Sequence, residues 1–391
     1  MHKLEALIKR MRDRGLEVDV IEPSRPPTLR GIGELPIRFE GRGGKAIIAV
    51  PDATRPLNTG MILNFLAPKL LEKGFEVEVL FATGTHDMSR LEAERMLGRW
   101  VDKVEYRIHD CKGEHAYVGS TRRGLVVEID PGFAEAELRI TVGVVAPHPW
   151  AGFSGGAKLI LPGISSLRTI VEHHLRWFES GASGIVRGNV FREELDEAGR
   201  LAKVDYSLNL VLDEGGGVSY AAWGDIDSSF KDCVNIASKV YLKRVRGLYD
   251  VVVAFADPLG DSFYQSTKAL EHASLALRKR GTLILVATCE KGVGSPEFKR
   301  YLSLDSGEIR EEIASRRVGN LVPALVALTF KRICREYKIC LVTTQGLGGV
   351  GEIEVVDDLE EALSHARGRR GLIVIKGGFT VPVLSSSLNP R

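Results

Sequence analysis

Three apolar runs rich in β-branched residues, each ending in a polar cluster, constrain the fold of this chain most strongly. A helical pattern, MILNFLAPKLLEKG, connects the first two runs and closes at Gly74. Continuous apolar strands that alternate with helices are typical of parallel βαβ units. The sequence therefore predicts an α/β fold with mainly parallel sheets. The three runs are KAIIAVPDATRP, FEVEVLFATGTHD and LRITVGVVAPHP.

A second α/β series follows a basic helix, FKDCVNIASKVYLKRVRG, which we expect to end near Gly247. Helical patterns again separate the strands of this series. We therefore divide the chain into an N-terminal α/β domain, residues 1–246, and a C-terminal α/β domain, residues 247–391. Ligands bind at the carboxyl ends of parallel strands, so we expect the active site in a cleft between the two lobes. The predicted strands are DVVVAFAD, TLILVATC, ICLVTTQ and RGLIVIKG.

Composition excludes several classes of protein. The 53 lysines and arginines against 51 aspartates and glutamates leave a formal charge of +2, whereas a general nucleic-acid binder usually has a marked basic excess. The five cysteines are scattered and form no CxxC pair, which argues against a disulfide framework or a cysteine-based metal site. No run approaches the roughly 18 apolar residues of a membrane span, and the charged N-terminus is unlike a signal peptide. We expect a cytoplasmic protein that binds neither nucleic acid nor membrane.

Polar and titratable residues follow all three strands of the first series. Because the carboxyl ends of parallel strands meet at one edge of a sheet, we expect these residues to share a rim. Any one of them could be an ordinary cap or turn residue, and Asp52 and Thr54 are good helix N-caps. Three such clusters together favour a binding site. The residues are Asp52, Thr54, Arg55, Gly84, His86 and His148.

The segment PHPWAGFSGGAKLILPG, residues 147–163, is the most informative in the chain. Its small residues Ser154, Gly155 and Gly156 would let a ligand approach the backbone closely. Lys158 stands between these residues and an apolar run. It is therefore a candidate for a partly desolvated amine with a lowered pKa and nucleophilic reactivity. A phosphate-binding lysine or an exposed side chain remains an alternative.

Two further groups are candidates for the site. His173 and His174 offer imidazoles, the commonest protein ligands for nickel and zinc, and as neighbours on a helix at most one is expected to face the site. Tyr264, Gln265 and Lys268 follow the first strand of the second series. An amide and a lysine aimed into a cleft would suit a substrate that carries a carboxylate, although Lys268 could equally be a solvated helix residue.

Taken together, these motifs resemble the lactate racemase family. The resemblance runs from about residue 45 to past residue 375 and covers both predicted domains. Spacing agrees as well, because His148 lies ten residues before Lys158 and His174 lies sixteen after it. One departure bears on the substrate, since Asp87-Met88 stands where many relatives have Arg-Pro. The matching motifs are DATRP (52–56), GTH (84–86), residues 147–163, the histidine pair 173–174 and YQSTK (264–268).

The resemblance implies a racemase or epimerase of a 2-hydroxy acid that works by reversible proton-coupled hydride transfer to a nickel-pincer nucleotide. This cofactor is a pyridinium bis-thiocarboxylate mononucleotide with nickel. Lys158 would tether it covalently and His174 would bind the nickel, while His86 and His148 would be the acid/base pair. Proteins that assemble the cofactor would be partners. We expect Asp52, Thr54, Gly84, Ser154, Gly155 and Gly156 in the cofactor pocket, and Arg55, Tyr264, Gln265 and Lys268 in the substrate site.

Two other functions remain open at this stage. A zinc-dependent hydrolase or lyase could use His86, His148 and His174, because catalytic zinc commonly takes three protein ligands and a water. Alternatively, the lobes could close on a carboxylate ligand without catalysis, with the histidines only forming hydrogen bonds to it.

Overall fold

The computed structural model describes residues 2–25, 30–53, 55, 57–213, 216–315, 321–347, 350–351 and 353–384. The chain divides into two compact α/β units. The N-terminal unit comprises Arg25–Val240, and the C-terminal unit comprises Tyr241–Arg391 together with Met1–Ser24. The prediction of an α/β fold with mainly parallel sheets is confirmed.

Strands and helices alternate along most of the chain. The strands are β1 Glu17–Ile21, β2 Lys45–Pro51, β3 Glu76–Ala82, β4 Glu105–Ile108, β5 Ala116–Ser120, β6 Val126–Ile129, β7 Leu138–Val144, β8 Pro147–His148, β9 Gly152–Phe153, β10 Tyr206–Leu212, β11 Val218–Gly224, β12 Leu242–Val245, β13 Tyr249–Phe255, β14 Leu277–Val286, β15 Lys338–Val342, β16 Glu354–Val356, β17 Arg370–Val374 and β18 Val381–Leu384. The α-helices are α1 His2–Asp13, α2 Thr59–Glu72, α3 Arg90–Leu97, α4 Pro131–Glu135, α5 Leu167–Trp177, α6 Val190–Leu201, α7 Ile226–Tyr241, α8 Phe263–Ser274, α9 Pro296–Ser303, α10 Ser306–Ala314, α11 Leu321–Glu336 and α12 Leu359–Ser364. None of the helices in the described ranges has the length and apolar character needed to cross a membrane.

The N-terminal unit is built on a six-stranded sheet with the order β11-β10-β7-β2-β3-β4. Neighbouring strands in this sheet run parallel except β11, which is antiparallel to β10. In the central strand β2, all five residues from Ala46 to Val50 are fully buried. A strand covered on both faces must be continuously apolar, and for this reason the strand was recognisable from its sequence.

Helix α2 carries the chain from β2 to β3 with the expected start and stop signals. The side chain of Asn58 caps its first turn by accepting a hydrogen bond from the Met61 N–H at 2.9 Å. The chain leaves the helix through Gly74, whose φ of +80° is a left-handed conformation that glycine adopts at little cost. The N-cap of α2 is therefore Asn58 and not Asp52.

The C-terminal unit contains a six-stranded sheet with the order β1-β17-β13-β14-β15-β16, and all of its neighbouring strands are parallel. A smaller parallel pair joins β12 to β18. Helix α8 follows β13, so its N-terminal end lies at the carboxyl end of that strand.

Two details of the domain organisation differ from the prediction. Residues 1–24 belong to the C-terminal unit, because β1 pairs with β17 and α1 buries Leu7 and Met11 against that unit's core. This pairing joins segments about 350 residues apart, which no local pattern reveals. In addition, the basic helix α7 ends at Tyr241 rather than near Gly247. The next residues form β12 instead, where they gain the backbone hydrogen bonds of β18.

Candidate active site

An open pocket lies at the carboxyl edge of the N-terminal sheet. It is lined by the ends of β2, β3 and β7 and by the loop that follows β9. In the sheet, β2 lies between β7 and β3, and this order brings the three strand ends together. The predicted site residues that line the pocket are Asp52, Arg55, Gly84, His86, Ser154, Gly155 and Lys158.

His86 and Asp52 form a hydrogen-bonded pair in this pocket. Nδ1 of His86 lies 2.7 Å from Oδ2 of Asp52. The Asp52 side chain is buried, whereas 43% of the His86 side chain is exposed. Because a carboxylate only accepts hydrogen bonds, Nδ1 carries the ring proton, and Nε2 is the nitrogen that can exchange a proton with a ligand. Asp52, expected in the cofactor pocket, thus orients a histidine, as the aspartate does in a catalytic triad.

His148 is held by a different kind of hydrogen bond. It ends the two-residue strand β8, which pairs with β9 in a tight antiparallel turn. Its Nδ1 accepts hydrogen bonds from the backbone N–H groups of Trp150, at 3.2 Å, and Ala151, at 3.1 Å. Nδ1 therefore presents a lone pair, and the proton of the neutral ring is on Nε2. His148 is half-buried and packs edge-on against the Trp150 indole, with ring centroids 6.1 Å apart.

The two glycines of the SGG segment are required by packing. Gly155 has a φ of +83° and Gly156 a φ of +57°, which other residues rarely adopt. A Cβ atom on Gly155 would lie 2.7 Å from the side chain of Val145, and one on Gly156 would lie 2.9 Å from Arg192 and from Phe230. The sequence predicts that these glycines make room for a ligand. Their missing side chains also make room for the protein interior, and Gly155 lines the pocket.

Buried polar residues fix the loop around these glycines. Asn209 is fully buried on β10, and its Oδ1 accepts a hydrogen bond from the Gly156 N–H at 2.8 Å. Its amide nitrogen donates to the hydroxyls of Ser207 and Ser229, each at 3.0 Å. An unpaired N–H at Gly156 would cost about 1–3 kcal/mol, so Asn209 stabilises this backbone conformation. Asn209 was not predicted from the sequence, where its only signal is a polar residue within the apolar run of β10.

Ser154 also has a structural hydrogen-bonding role. Its hydroxyl donates to the carbonyl of Val144 at 2.7 Å and accepts from the N–H of Ala146 at 3.1 Å. These bonds attach the loop to the end of β7. Ser154 therefore lines the pocket, while its hydroxyl forms hydrogen bonds to the backbone.

Arg192 is a second anchor that was not predicted from the sequence. Only 1% of this residue is exposed, and its guanidinium lies 3.7 Å from the centre of the Phe230 ring. It donates to the carbonyls of Phe153, at 3.2 Å, and Gly155, at 3.4 Å, and it pairs with Asp196 at 2.6 Å. A buried arginine needs such partners. Its role is to fix the backbone of the loop that contains Gly155 and Gly156.

Lys158 lies in a short 3-10 turn, Gly156–Leu159, directly after the glycines. The side chain is half-buried and lines the pocket, as expected for a partly desolvated amine. Its positive charge also reaches the histidine pair of α5, where it contributes to the lowered pKa values of both His173 and His174. Lys158 is thus close enough to the two imidazoles to affect them electrostatically.

His173 and His174 are both buried and present different nitrogens. His174 donates from Nδ1 to the Ile170 carbonyl at 2.9 Å, which leaves the lone pair on Nε2. His173 donates from Nε2 to the Phe191 carbonyl at 3.0 Å, and its Nδ1 is buried without a partner among the described residues. Burial is the main cause that lowers the pKa of His173 to about 3 and the pKa of His174 well below its usual range. Both rings are therefore neutral, the form that binds metal ions.

The other predicted residues lie on α8 of the C-terminal unit. Ser262 caps this helix by accepting a hydrogen bond from the Gln265 N–H at 3.4 Å. One turn on, Nζ of Lys268 donates to Oε1 of Gln265 at 2.7 Å, so the amide and the ammonium act as a pair. Tyr264 packs against Phe298, with ring centroids 5.1 Å apart, and burial raises the pKa of its phenol. Thr54 lies outside the described residues.

The described residues do not support the zinc hypothesis. Among them, no group of three or more histidine, cysteine, aspartate or glutamate side chains is arranged to hold a metal ion. His86 and His148 instead form separate hydrogen bonds, one to a carboxylate and one to backbone amides. A site with three protein ligands for zinc is therefore not formed by these side chains.

The edge of this parallel sheet carries a lysine in a glycine-rich turn, a histidine paired with an aspartate, and a loop held by a buried arginine. These features define an α/β enzyme. Comparison with known families identifies its class. Residues 37–185 match the lactate racemase N-terminal domain, and residues 249–383 match the lactate racemase C-terminal domain. The chain belongs to the lactate racemase family, and it is a lactate racemase-like racemase and thus an isomerase.

Individual relatives agree with this assignment. The chain is 27% identical to the lactate racemase of Lactiplantibacillus plantarum over 90% of its own length and 88% of the relative. It is also 27% identical to that of Thermoanaerobacterium thermosaccharolyticum, over 80% and 76% of the two lengths. The fold matches the lactate racemase apoprotein of the latter organism with a TM-score of 0.85 at 25% identity, covering 95% of both chains. A crystal structure of a Thermotoga maritima protein shares the fold with a TM-score of 0.68 at 19% identity, covering 88% of this chain and 94% of that one.

Proposed function

We propose that this racemase inverts the configuration at C2 of a 2-hydroxy acid by reversible removal of the C2 hydrogen as hydride, with a nickel-pincer nucleotide carried on Lys158. One observation carries the proposal. Lys158 lines the same pocket as the Asp52–His86 pair and Arg55, so an attachment point, a proton acceptor and a cation for a carboxylate are available together.

The residues present fit this cofactor. The Lys158 side chain lines open pocket space and can form a covalent bond to a ligand there. His174 keeps a neutral ring with a lone pair on Nε2, the state of a metal-binding imidazole whose other nitrogen donates to a carbonyl. Lys158 would hold the nucleotide, and His174 would bind its nickel. When bound, the nucleotide would supply a centre that accepts a hydride and returns it.

The side chains of the pocket match the proton chemistry of this reaction. Removing the C2 hydrogen as a proton would place negative charge beside a carboxylate, whereas removing it as hydride, with loss of the hydroxyl proton, leaves a planar 2-keto acid. A planar ketone can be reduced on either face, and this produces the inversion. His86 and His148 are the candidates to handle the hydroxyl proton, and such general acid/base catalysis contributes about 10²–10⁴-fold. Asp52 would stabilise the imidazolium of His86.

Arg55 and the Gln265–Lys268 pair are the candidates for substrate binding. Burial lowers the pKa of the Arg55 guanidinium, and the charge of Asp52 opposes this shift. A guanidinium in such surroundings gains strongly from a charge-assisted bond to a carboxylate. Lys268 and Gln265 are the candidates of the C-terminal unit and offer an ammonium and an amide. The substrate class is therefore a small 2-hydroxy acid.

The proposed cofactor implies partners and a compartment. Proteins that assemble the nickel-pincer nucleotide would have to act before the racemase is active. The five cysteines, all among the described residues, form no disulfide, as is usual for a reducing compartment, and we place the protein in the cytoplasm.

The test is to express the chain together with cofactor-assembly proteins and to measure its intact mass and its activity on single-enantiomer 2-hydroxy acids. We expect a mass adduct that maps to Lys158 and racemisation of at least one acid. The matched variant Lys158→Arg should carry no adduct and no activity. Activity without an adduct on Lys158 would contradict the proposal.

A further inference from the structure

The indole N–H of Trp150 is a buried hydrogen-bond donor next to the candidate active site. Only 6% of Trp150 is exposed, and its Nε1 atom is buried without a partner among the described residues. Trp100 is equally buried, but its Nε1 donates to Oδ1 of Asn64 at 2.8 Å. Leaving a buried donor unpaired is costly, and native proteins contain few such groups. The Trp150 N–H therefore calls for a partner.

The indole lies between two histidines of the proposed function. Its ring packs edge-on against His148, with centroids 6.1 Å apart, and against His174, with centroids 5.8 Å apart. The accepting nitrogen of His148, Nδ1, already receives hydrogen bonds from two backbone N–H groups. The lone pair of His174 is on Nε2, the atom proposed to bind nickel. Neither histidine is thus available as the acceptor for the indole N–H.

The backbone and the neighbouring rings hold the indole in this place. The Trp150 carbonyl accepts a hydrogen bond from the buried side-chain amide of Asn189 at 2.8 Å. Phe178 and Phe191 also pack against the indole, with centroids 6.4 Å and 6.1 Å away. A Cβ atom on Gly181 would lie 2.0 Å from the Trp150 carbonyl oxygen, so the following loop packs closely against this residue. Such packing limits the motion of the indole, and its donor is preorganised for a ligand.

We propose, on the basis of the function above, that Trp150 is a positioning residue of the cofactor site: its indole N–H donates a hydrogen bond to a sulfur or oxygen acceptor of the nucleotide carried on Lys158. A mononucleotide with thiocarboxylate groups is rich in such acceptors, and a buried N–H bonds strongly to those that are charged. Trp150 contacts the ring of His174, and the charge of Lys158 reaches the same imidazole. The donor therefore lies near both residues proposed to hold the nucleotide. His86 and His148 keep their part in transferring the hydroxyl proton.

The first test follows the indole N–H directly by NMR. Nitrogen-15 labelling of the four tryptophans gives an indole signal for each, and two of these are assigned by their loss in Trp150→Phe and Trp100→Phe. The full chain is compared without cofactor and after expression with the cofactor-assembly proteins. On loading, the Trp150 proton signal should move to lower field, as it does when a proton enters a hydrogen bond, while the Trp100 signal should stay in place. A Trp150 signal that does not move, or that moves only when a 2-hydroxy acid is added, would overturn the proposal.

The second test measures how well the loaded protein retains its nickel. Trp150→Phe keeps an aromatic ring among the neighbouring rings but removes the N–H. This variant should release nickel to a chelator about tenfold faster than the parent, because one hydrogen bond to a charged group is lost. Trp100→Phe is the matched control, since it removes an equally buried indole whose partner is a protein side chain, and it should release nickel at the parent rate. Equal release rates in all three proteins would contradict the role of Trp150.

The mass of the loaded protein separates this proposal from the one on which it rests. If the parent carries no adduct on Lys158, the proposed function fails, and the role of Trp150 fails with it. If the parent carries the adduct but its Trp150 signal is the same as without cofactor, the proposed function stands and only the role of Trp150 is wrong.

Discussion

The two α/β units are each built on a six-stranded, mainly parallel sheet, but they differ in how they position functional groups. In the N-terminal unit, the ends of three strands and a glycine loop bring Asp52, His86 and Lys158 to one pocket. In the C-terminal unit, the candidates Gln265 and Lys268 lie on one regular helix, one turn apart. Irregular backbone can bring groups from distant positions together, whereas a helix presents a fixed pair. We therefore expect changes in the N-terminal unit to affect turnover and changes in the C-terminal unit to affect substrate affinity.

The largest effect is expected at Lys158. Replacing it with alanine removes the attachment point, so both the mass adduct and racemisation should be lost completely. Lys268→Ala is the matched control in the other unit, and it should carry the adduct at the parent level. Intact-mass measurement on both variants checks the contrast. Loss of the adduct in Lys268→Ala would contradict the assignment of cofactor attachment to the N-terminal unit and substrate binding to the C-terminal unit.

The next effect is expected at Lys268 itself. Its removal takes away a charged hydrogen bond of about 1.5–3 kcal/mol to a carboxylate, which corresponds to a rise in KM of roughly 10–160-fold. We expect kcat to change much less. Lys291→Ala is a suitable control, because this exposed lysine of the same unit pairs with Asp261 at 2.6 Å. A fall in kcat with KM unchanged would contradict the proposed binding role.

A smaller effect is expected at Asn209, which holds the glycine loop. Asn209→Ala leaves the buried Gly156 N–H without a partner and should cost about 1–3 kcal/mol in the free energy of unfolding. It should also lower the fraction of protein with an adduct on Lys158. Asn58→Ala, which removes the cap of α2, should cost about 1 kcal/mol and leave the adduct unchanged. Urea unfolding and intact mass separate the two outcomes.

The sequence was sufficient for the parts of the structure that depend on local patterns. The strands β2, β3 and β7 were recognisable because buried parallel strands are continuously apolar, and their parallel order places Asp52, Gly84 and His86 at one rim. The pairing of β1 with β17 was not predictable, because it depends on a contact between distant segments.

The same limit applies within the site. The sequence indicated Asp52 and His86 as candidates but not their hydrogen bond, which depends on side-chain directions at two different strand ends. Asn209 went unnoticed because it is one polar residue in the apolar run of β10, and Arg192 because it is one of several charged residues in α6. The partner of each is a backbone group of a distant loop. The glycines were predicted as site residues, but only the packed structure shows what side chains at these positions would contact.

The smallest effect on turnover is expected at His272, on the buried side of α8. This ring is fully buried, and its Nδ1 donates to the Gly377 carbonyl at 2.9 Å. Burial is the main cause that lowers the pKa of His272 to about 4 from its usual 6.5. The folded protein therefore keeps the ring neutral, while the unfolded chain binds a proton below pH 6.5. The resulting stability is present above pH 6.5 and is lost as the pH falls toward 4.

His272→Asn tests this directly, because the asparagine amide can donate to the same carbonyl and does not titrate. Between pH 6.5 and 4, the free energy of unfolding should fall less in this variant than in the parent, by up to about 3 kcal/mol at 1.36 kcal/mol per pKa unit. At pH 8 the ring is neutral in both the folded and unfolded states, so any difference there measures the loss of packing alone. The same slope in variant and parent would show that another buried group causes the acid sensitivity. A changed pH dependence of the free energy of unfolding, with KM unchanged, would show that the two sides of α8 have different roles. One side would bind substrate, and the other would contribute to stability.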